Sequence, residues 1–198
     1  MSRSGVLSHQ EIIQRAIRRS IEIKAQLLEE QVSLIARIAA LLVDTFQAGR
    51  KVVLFGNGGS AADAQHVAAE LVNRFLMERD ALPAIALTTN TSILTSVSND
   101  VAFDQVFARQ VRALVQKGDL VVGISTSGNS PNVLNGITAA REREAATLGF
   151  TGRRGGKLKE MVDMCFCVPS DHTPSVQEAH ITVWHAICEV VEQELFSR

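Results

Sequence analysis

The chain has 198 residues, 20 Lys+Arg against 21 Asp+Glu, a formal net charge of −1 and 46% hydrophobic residues. That length suits one domain with an ample core, and the charge balance gives no reason to expect nucleic acid or an anionic membrane as a partner. The longest apolar run, at 38–43, falls far short of the about 20 residues a membrane span needs, and the opening MSRSGVLSHQ lacks an apolar leader core.

Residues 9–30 carry Ile12, Ile13, Ala16, Ile17, Ile21, Ile23 and Leu27 near helical spacing, with charges between them. A second helix is predicted over 32–47, ending at Gly49. This N-terminal helix pair, 1–48, has a sizeable apolar surface, which packs on the rest of the chain or bundles with another subunit. Strands and helices then alternate through 49–198, with strands predicted at 51–56, 84–88, 119–124, 147–151 and 164–168. Helices are predicted at 60–75, 90–98, 103–116, 130–144, 157–162 and 176–196. The strands are nearly continuous apolar runs, as expected when helices cover both faces of a sheet. The expected fold is therefore α/β, a doubly wound five-stranded parallel sheet flanked by helices. Nothing resembling a linker, repeat or low-complexity segment interrupts it, so the whole chain, 1–198, reads as a single domain.

The most informative segment is Val52-Val53-Leu54-Phe55-Gly56-Asn57-Gly58-Gly59-Ser60, a strand that breaks into a glycine turn and then a helix. Glycines let the turn expose backbone N–H groups, and the helix N-terminus adds positive potential, so an anion such as phosphate fits there. Ser60 is a candidate N-cap as well as a candidate ligand. Gly56, Gly58 and Ala61 also match a dinucleotide fingerprint, but the second strand ends in Leu87-Thr88-Thr89-Asn90, without the carboxylate that would hold a ribose. The pattern recurs at Leu120–Ile124, which runs into Ser125-Thr126-Ser127-Gly128-Asn129-Ser130 and a helix opened by Pro131. Its hydroxyls exceed what a turn requires and suit phosphate oxygens. Two polar loops at strand C-termini point to a phosphorylated small molecule.

His66 and Glu70 share a face of the helix that leaves the glycine loop. They read as a surface i,i+4 pair, as an acid/base pair or as metal ligands. The last helix carries Gln177, Glu178, His180 and His185, a metal-ligating set or a polar interface stripe. Gln177 and His185 are eight residues apart, about 12 Å along a regular helix. One straight helix cannot aim both at one ion, so either Gln177 precedes the helix or two chains share the site. Cys165 and Cys167 alternate on a strand and face the same way, with apolar packing the expected role and metal or redox chemistry the alternative. The third cysteine, Cys188, makes the count odd, which together with the opening residues favours a reducing cytoplasm.

Taken together, GNGGSAADAQH, the AE-to-NRF stretch, LPAIALTT, SND at 98–100, GDLVVGISTSGNSPNV and QEAHITVWHAICEVVE resemble the sugar isomerase (SIS) domain, and within it the bacterial phosphoheptose isomerases. The similarity runs over essentially the whole chain and keeps family order. It implies an SIS-type, flavodoxin-like fold and a cytoplasmic homotetramer with active sites between subunits. The implied reaction converts sedoheptulose 7-phosphate to D-glycero-D-manno-heptose 7-phosphate, the first step toward the heptose of lipopolysaccharide. It assigns phosphate to Ser125, Thr126, Ser127 and Ser130, and the sugar to Asn57, Gly58, Ser60 and Asp100, with Arg74 and Gln177 as further substrate contacts. Glu70 and His185 would be the catalytic pair, and His66, Glu70, Gln177 and His185 would hold one zinc per subunit. Ser175 stands where many relatives carry Arg or Lys. A non-enzymatic cousin binds the replication initiator, but it lacks an acidic residue at the position of Glu70 and has an altered hydroxyl loop. Sugar-phosphate-sensing regulators usually add a DNA-binding domain, and no basic helix-turn-helix segment is read in this sequence.

Overall fold

The computed structural model describes residues 7–197, so most of the expectation drawn from the first residues lies outside it. Two helices, α1 (His9–Glu30) and α2 (Val32–Gln47), precede β1 (Val52–Gly56), α3 (Gly59–Val72), β2 (Ala84–Ala86) and α4 (Thr91–Asp100). A short 3₁₀ turn (Phe103–Gln105) leads into α5 (Val106–Leu114), β3 (Leu120–Ile124), α6 (Pro131–Glu142) and β4 (Ala146–Thr151). The chain ends with α7 (Gly156–Met161), β5 (Met164–Cys167) and α8 (Thr173–Phe196).

All five strands pair in parallel, in the order β2-β1-β3-β4-β5. The expected doubly wound, flavodoxin-like sheet is thus the one observed. Strand order reverses at β1 and β3, and in such sheets ligands bind beyond the strand C-termini at that point. Both loops singled out above sit there. Period-2 alternation splits the strand side chains between two cores. Val52 and Leu54 join Leu120, Val122, Leu148 and Phe150 under α2, α3 and α8, while Val53, Phe55 and Val121 pack under α5 and α6. No helix among the described residues is long and apolar enough to cross a membrane.

Several boundaries differ from expectation, three of them with a plain local cause. β2 stops at Ala86, because Leu87–Asn90 turn into α4, whose N-cap Asn90 accepts from the Ile93 amide at 3.0 Å. The 103–116 helix is broken by the 3₁₀ turn. Helix α8 begins at Thr173 and not at 176, since Pro174 sits in the first turn, where its missing N–H costs nothing. Of the N-terminal pair, α2 packs into the core and α1 buries only Ile23 and Leu27. Ile12, Ile13, Ile17 and Ile21 remain exposed.

Candidate functional site

Gly56 ends β1 where a Cβ would meet the Ile124 carbonyl oxygen at 2.8 Å, so glycine lets β1 and β3 close up at the switch point. Gly58, with φ +55°, is the N-cap of α3 and offers no side-chain cap. The candidate cap Ser60 instead lies inside the first turn, buried, its amide bonded to the Asn57 carbonyl. The Ala61 amide likewise bonds the Gly58 carbonyl, so of the first-turn amides of α3 it is that of Gly59 that keeps its capacity for an anion. Gln177 sits across this turn, since a Cβ on Gly59 would run into its side-chain amide.

The two loops are tied together. Asn57 Nδ2 donates to Asn132 Oδ1 at 2.9 Å, and Asn132 Nδ2 returns a bond to Asn57 Oδ1 at 2.8 Å. In the second loop Ser125 Oγ lies 3.0 Å from Ser130 Oγ and 3.4 Å from Ser127 Oγ, so three hydroxyls converge. Ser130 is the N-cap of α6 but spends its hydroxyl on Ser125, not on the helix amides. A cavity of about 320 Å³ opens beside this loop, lined by Thr126, Ser127, Asn129, Arg154, Asp171 and Thr173. Arg154, its only cation, was not singled out from the sequence. Gly152-Arg153-Arg154-Gly155-Gly156 after β4 carried the signal, a basic pair in a glycine turn at a strand C-terminus.

A second centre lies further along the seam between α3 and α8. His66 Nε2 is 3.0 Å from Glu70 Oε1 and 3.2 Å from His185 Nε2. These three ligand atoms all lie within 4.8 Å of one another, a separation one cation can bridge. The rings of His66 and His185 are tilted 5.1 Å apart, and Phe75 stacks on His185 at 5.4 Å. Phe75 is a positioning contact that the sequence did not single out. One turn before His66 is Asp63, its Oδ2 buried without a partner. Burial pushes that carboxyl up to about 6, against the opposing pull of His66.

The structure brings Glu70 and His185 together within one chain, so these two need no subunit boundary between them. It also removes the option that Gln177 precedes the last helix. The helix is continuous, Gln177 lies at Gly59, and His185 is about 12 Å further along, so this chain's Gln177 does not join its own His66 cluster. Arg74 pairs with Glu78 at 2.8 Å on the surface. Asp100 closes α4 and accepts from Asn99 Nδ2, with no hydrogen bond to either loop. Ser175 is buried, its hydroxyl 2.9 Å from His172 Nδ1.

Residues 15–152 match the SIS domain family model. A phosphoheptose isomerase of Roseiflexus sp. (strain RS-1) is 57% identical over 180 residues, covering 91% of each chain. A solved phosphoheptose isomerase from Neisseria gonorrhoeae superposes with TM-score 0.89 at 42% identity, over 94% of this chain and 100% of that one. Another, from Francisella tularensis, gives TM-score 0.91 at 36% identity over the same shares.

Proposed function

The chain belongs to the SIS-domain family, among its phosphoheptose isomerases, and from that membership and its own geometry we propose that it interconverts sedoheptulose 7-phosphate and D-glycero-D-manno-heptose 7-phosphate. It is a sugar-phosphate isomerase, and the reaction supplies the heptose of lipopolysaccharide. The observation that carries the reading is the His66–Glu70–His185 cluster, set on the same α3/α8 seam as the glycine loop. The two stations are about 12 Å apart along α8.

Phosphate binds to Ser125, Thr126, Ser127 and Ser130, where three hydroxyls already converge. Asn57, Gly58 and Ser60 line the sugar, with Arg74, Asp100 and Gln177 as further contacts contributed within an oligomer. Aldose–ketose isomerisation moves one proton between C1 and C2 through an enediol. The Glu70 carboxylate takes and returns that proton. His185, held by Phe75, protonates and deprotonates the oxygens. His66 fixes the Glu70 carboxylate through its 3.0 Å contact.

The same donor set, two imidazoles and a carboxylate, suits zinc. When bound, the ion polarises the substrate oxygens. His66, Glu70 and His185 would hold it, with Glu70 freed to act as the base where the substrate displaces it as a ligand, and a fourth ligand from Gln177 would have to come from a neighbouring subunit. That requirement, with the exposed isoleucines of α1, supports an oligomer with shared sites, and the family resemblance makes it a homotetramer working in the cytoplasm. The whole chain would then act as one SIS domain, with 1–48 serving packing and assembly and 49–198 binding substrate. The test is product NMR with sedoheptulose 7-phosphate, using metal-free and zinc-loaded protein. A protein inert toward seven-carbon ketose phosphates in both forms would overturn the reading.

A further inference from the structure

Cys165 and Cys167 lie on β5, the edge strand of the sheet, in register with Gly149 and Thr151 of β4. Their spacing of two puts both on the face covered by α7. Phe166 between them points into the opposite core. The thiols lean together, with Sγ atoms 3.7 Å apart. Gly149 makes room for them, since a Cβ there would come 3.2 Å from Cys165 Sγ. Thr151 Oγ1 stands 3.2 Å from Cys167 Sγ and 3.8 Å from Cys165 Sγ. Both cysteines are half-buried and reduced. The isomerase reaction has no use for them.

We propose that Cys165 and Cys167 form a second metal site, a two-thiolate clamp for a soft monovalent d¹⁰ ion of the copper(I) type. Thiolate ligands select soft ions, whereas imidazole and carboxylate suit harder ones. Zinc in a protein site asks for about four ligands. Among the described residues no imidazole or carboxylate joins the thiols, and the one cluster of three or more such ligands is His66–Glu70–His185. The pair therefore suits an ion content with two donors.

The geometry needs little change. With metal–sulfur bonds of about 2.3 Å, sulfurs 3.7 Å apart subtend about 107°, and a linear arrangement is reached when they part to about 4.6 Å. Both thiols release their protons as the ion enters. One monovalent cation with two thiolates carries net charge −1, and Lys159 on α7 supplies a nearby positive charge.

The experiment titrates the reduced full-length protein, without oxygen, against copper(I) held by a chromophoric chelator. The wild type should withdraw one ion per chain and develop a thiolate-to-copper ultraviolet band. Cys165→Ser and Cys167→Ser should each weaken retention by at least about 100-fold, the upper end of what loss of an outer-shell partner costs. Cys188→Ser and His66→Ala should keep it. A wild type that leaves copper on the chelator overturns the proposal, as does retention in both serine variants or loss in His66→Ala. If a serine variant fails to fold, alkylation of the wild type decides: copper should shield Cys165 and Cys167, and equal labelling with and without copper refutes the site.

Discussion

Glu192→Ala should destabilise the protein by about 3–5 kcal/mol, the cost of breaking a buried ion pair. Glu192 and Arg79 side chains are 2% and 1% exposed, and their charges meet at 3.0 Å. The carboxylate also accepts the amides of Phe75, Leu76 and Met77 at 2.7, 2.7 and 3.0 Å. Arg79 in turn donates to the carbonyls of Glu70 and Leu71, both at 2.8 Å, and so closes the end of α3. Alanine orphans three donors and leaves the guanidinium buried and unpaired. For a chain of this size about 2–4 °C of Tm goes with each kcal/mol, so Tm should fall by about 6–20 °C. Urea unfolding at fixed protomer concentration measures the loss. Burial alone would raise the Glu192 pKa, but the amides and Arg79 outweigh it and hold the carboxyl below its ordinary value. A depressed folded pKa stabilises above the unfolded pKa of about 4.3 and stops doing so as pH falls through the folded one. The gap between wild type and Glu192→Ala should therefore be full at pH 7 and shrink in acid. A loss below about 1 kcal/mol at pH 7, the range of an exposed pair, would refute the reasoning.

Glu70→Gln removes the proposed base while keeping its shape, so kcat should fall at least about 10²-fold with the fold intact, as read by product NMR and deuterium exchange at C1 and C2. Ser127→Ala should raise KM by about tenfold with a smaller change in kcat, because a charge-assisted hydrogen bond of about 1.5 kcal/mol or more is lost far from the reacting carbons. Unchanged affinity for substrate and phosphate analogues would remove that loop from the site. Mixed oligomers of Glu70→Gln and His185→Ala chains should recover no activity, because both residues belong to one chain's cluster. Glu70→Gln mixed with Gln177→Ala should recover some, if Gln177 serves a neighbour's cluster. The reverse pattern under verified subunit exchange would refute the shared-site assignment.

The alternation of apolar runs with amphipathic stretches was enough to read a parallel sheet with helices on both faces, because burial on two sides leaves a strand no polar positions. Gly56–Ser60 and Ser125–Ser130 were legible as loops at strand ends for a similarly local reason, since turn chemistry is written in neighbouring residues. The i,i+4 spacing showed that His66 and Glu70 share a face, and the period of two showed the same for Cys165 and Cys167. Only the tertiary structure decided what those faces meet. His185 reaches His66 from 119 residues away because α3 and α8 pack side by side, a distance in sequence that no local pattern encodes. Phe75 on His185 and Glu192 beneath the loop after α3 are of the same kind. Helix starts were hidden too: α8 begins at Thr173, ahead of the predicted 176, and Gly58 displaced Ser60 as the cap. Caps and registers are settled by where packing lets a helix begin, and that is a property of the assembled core.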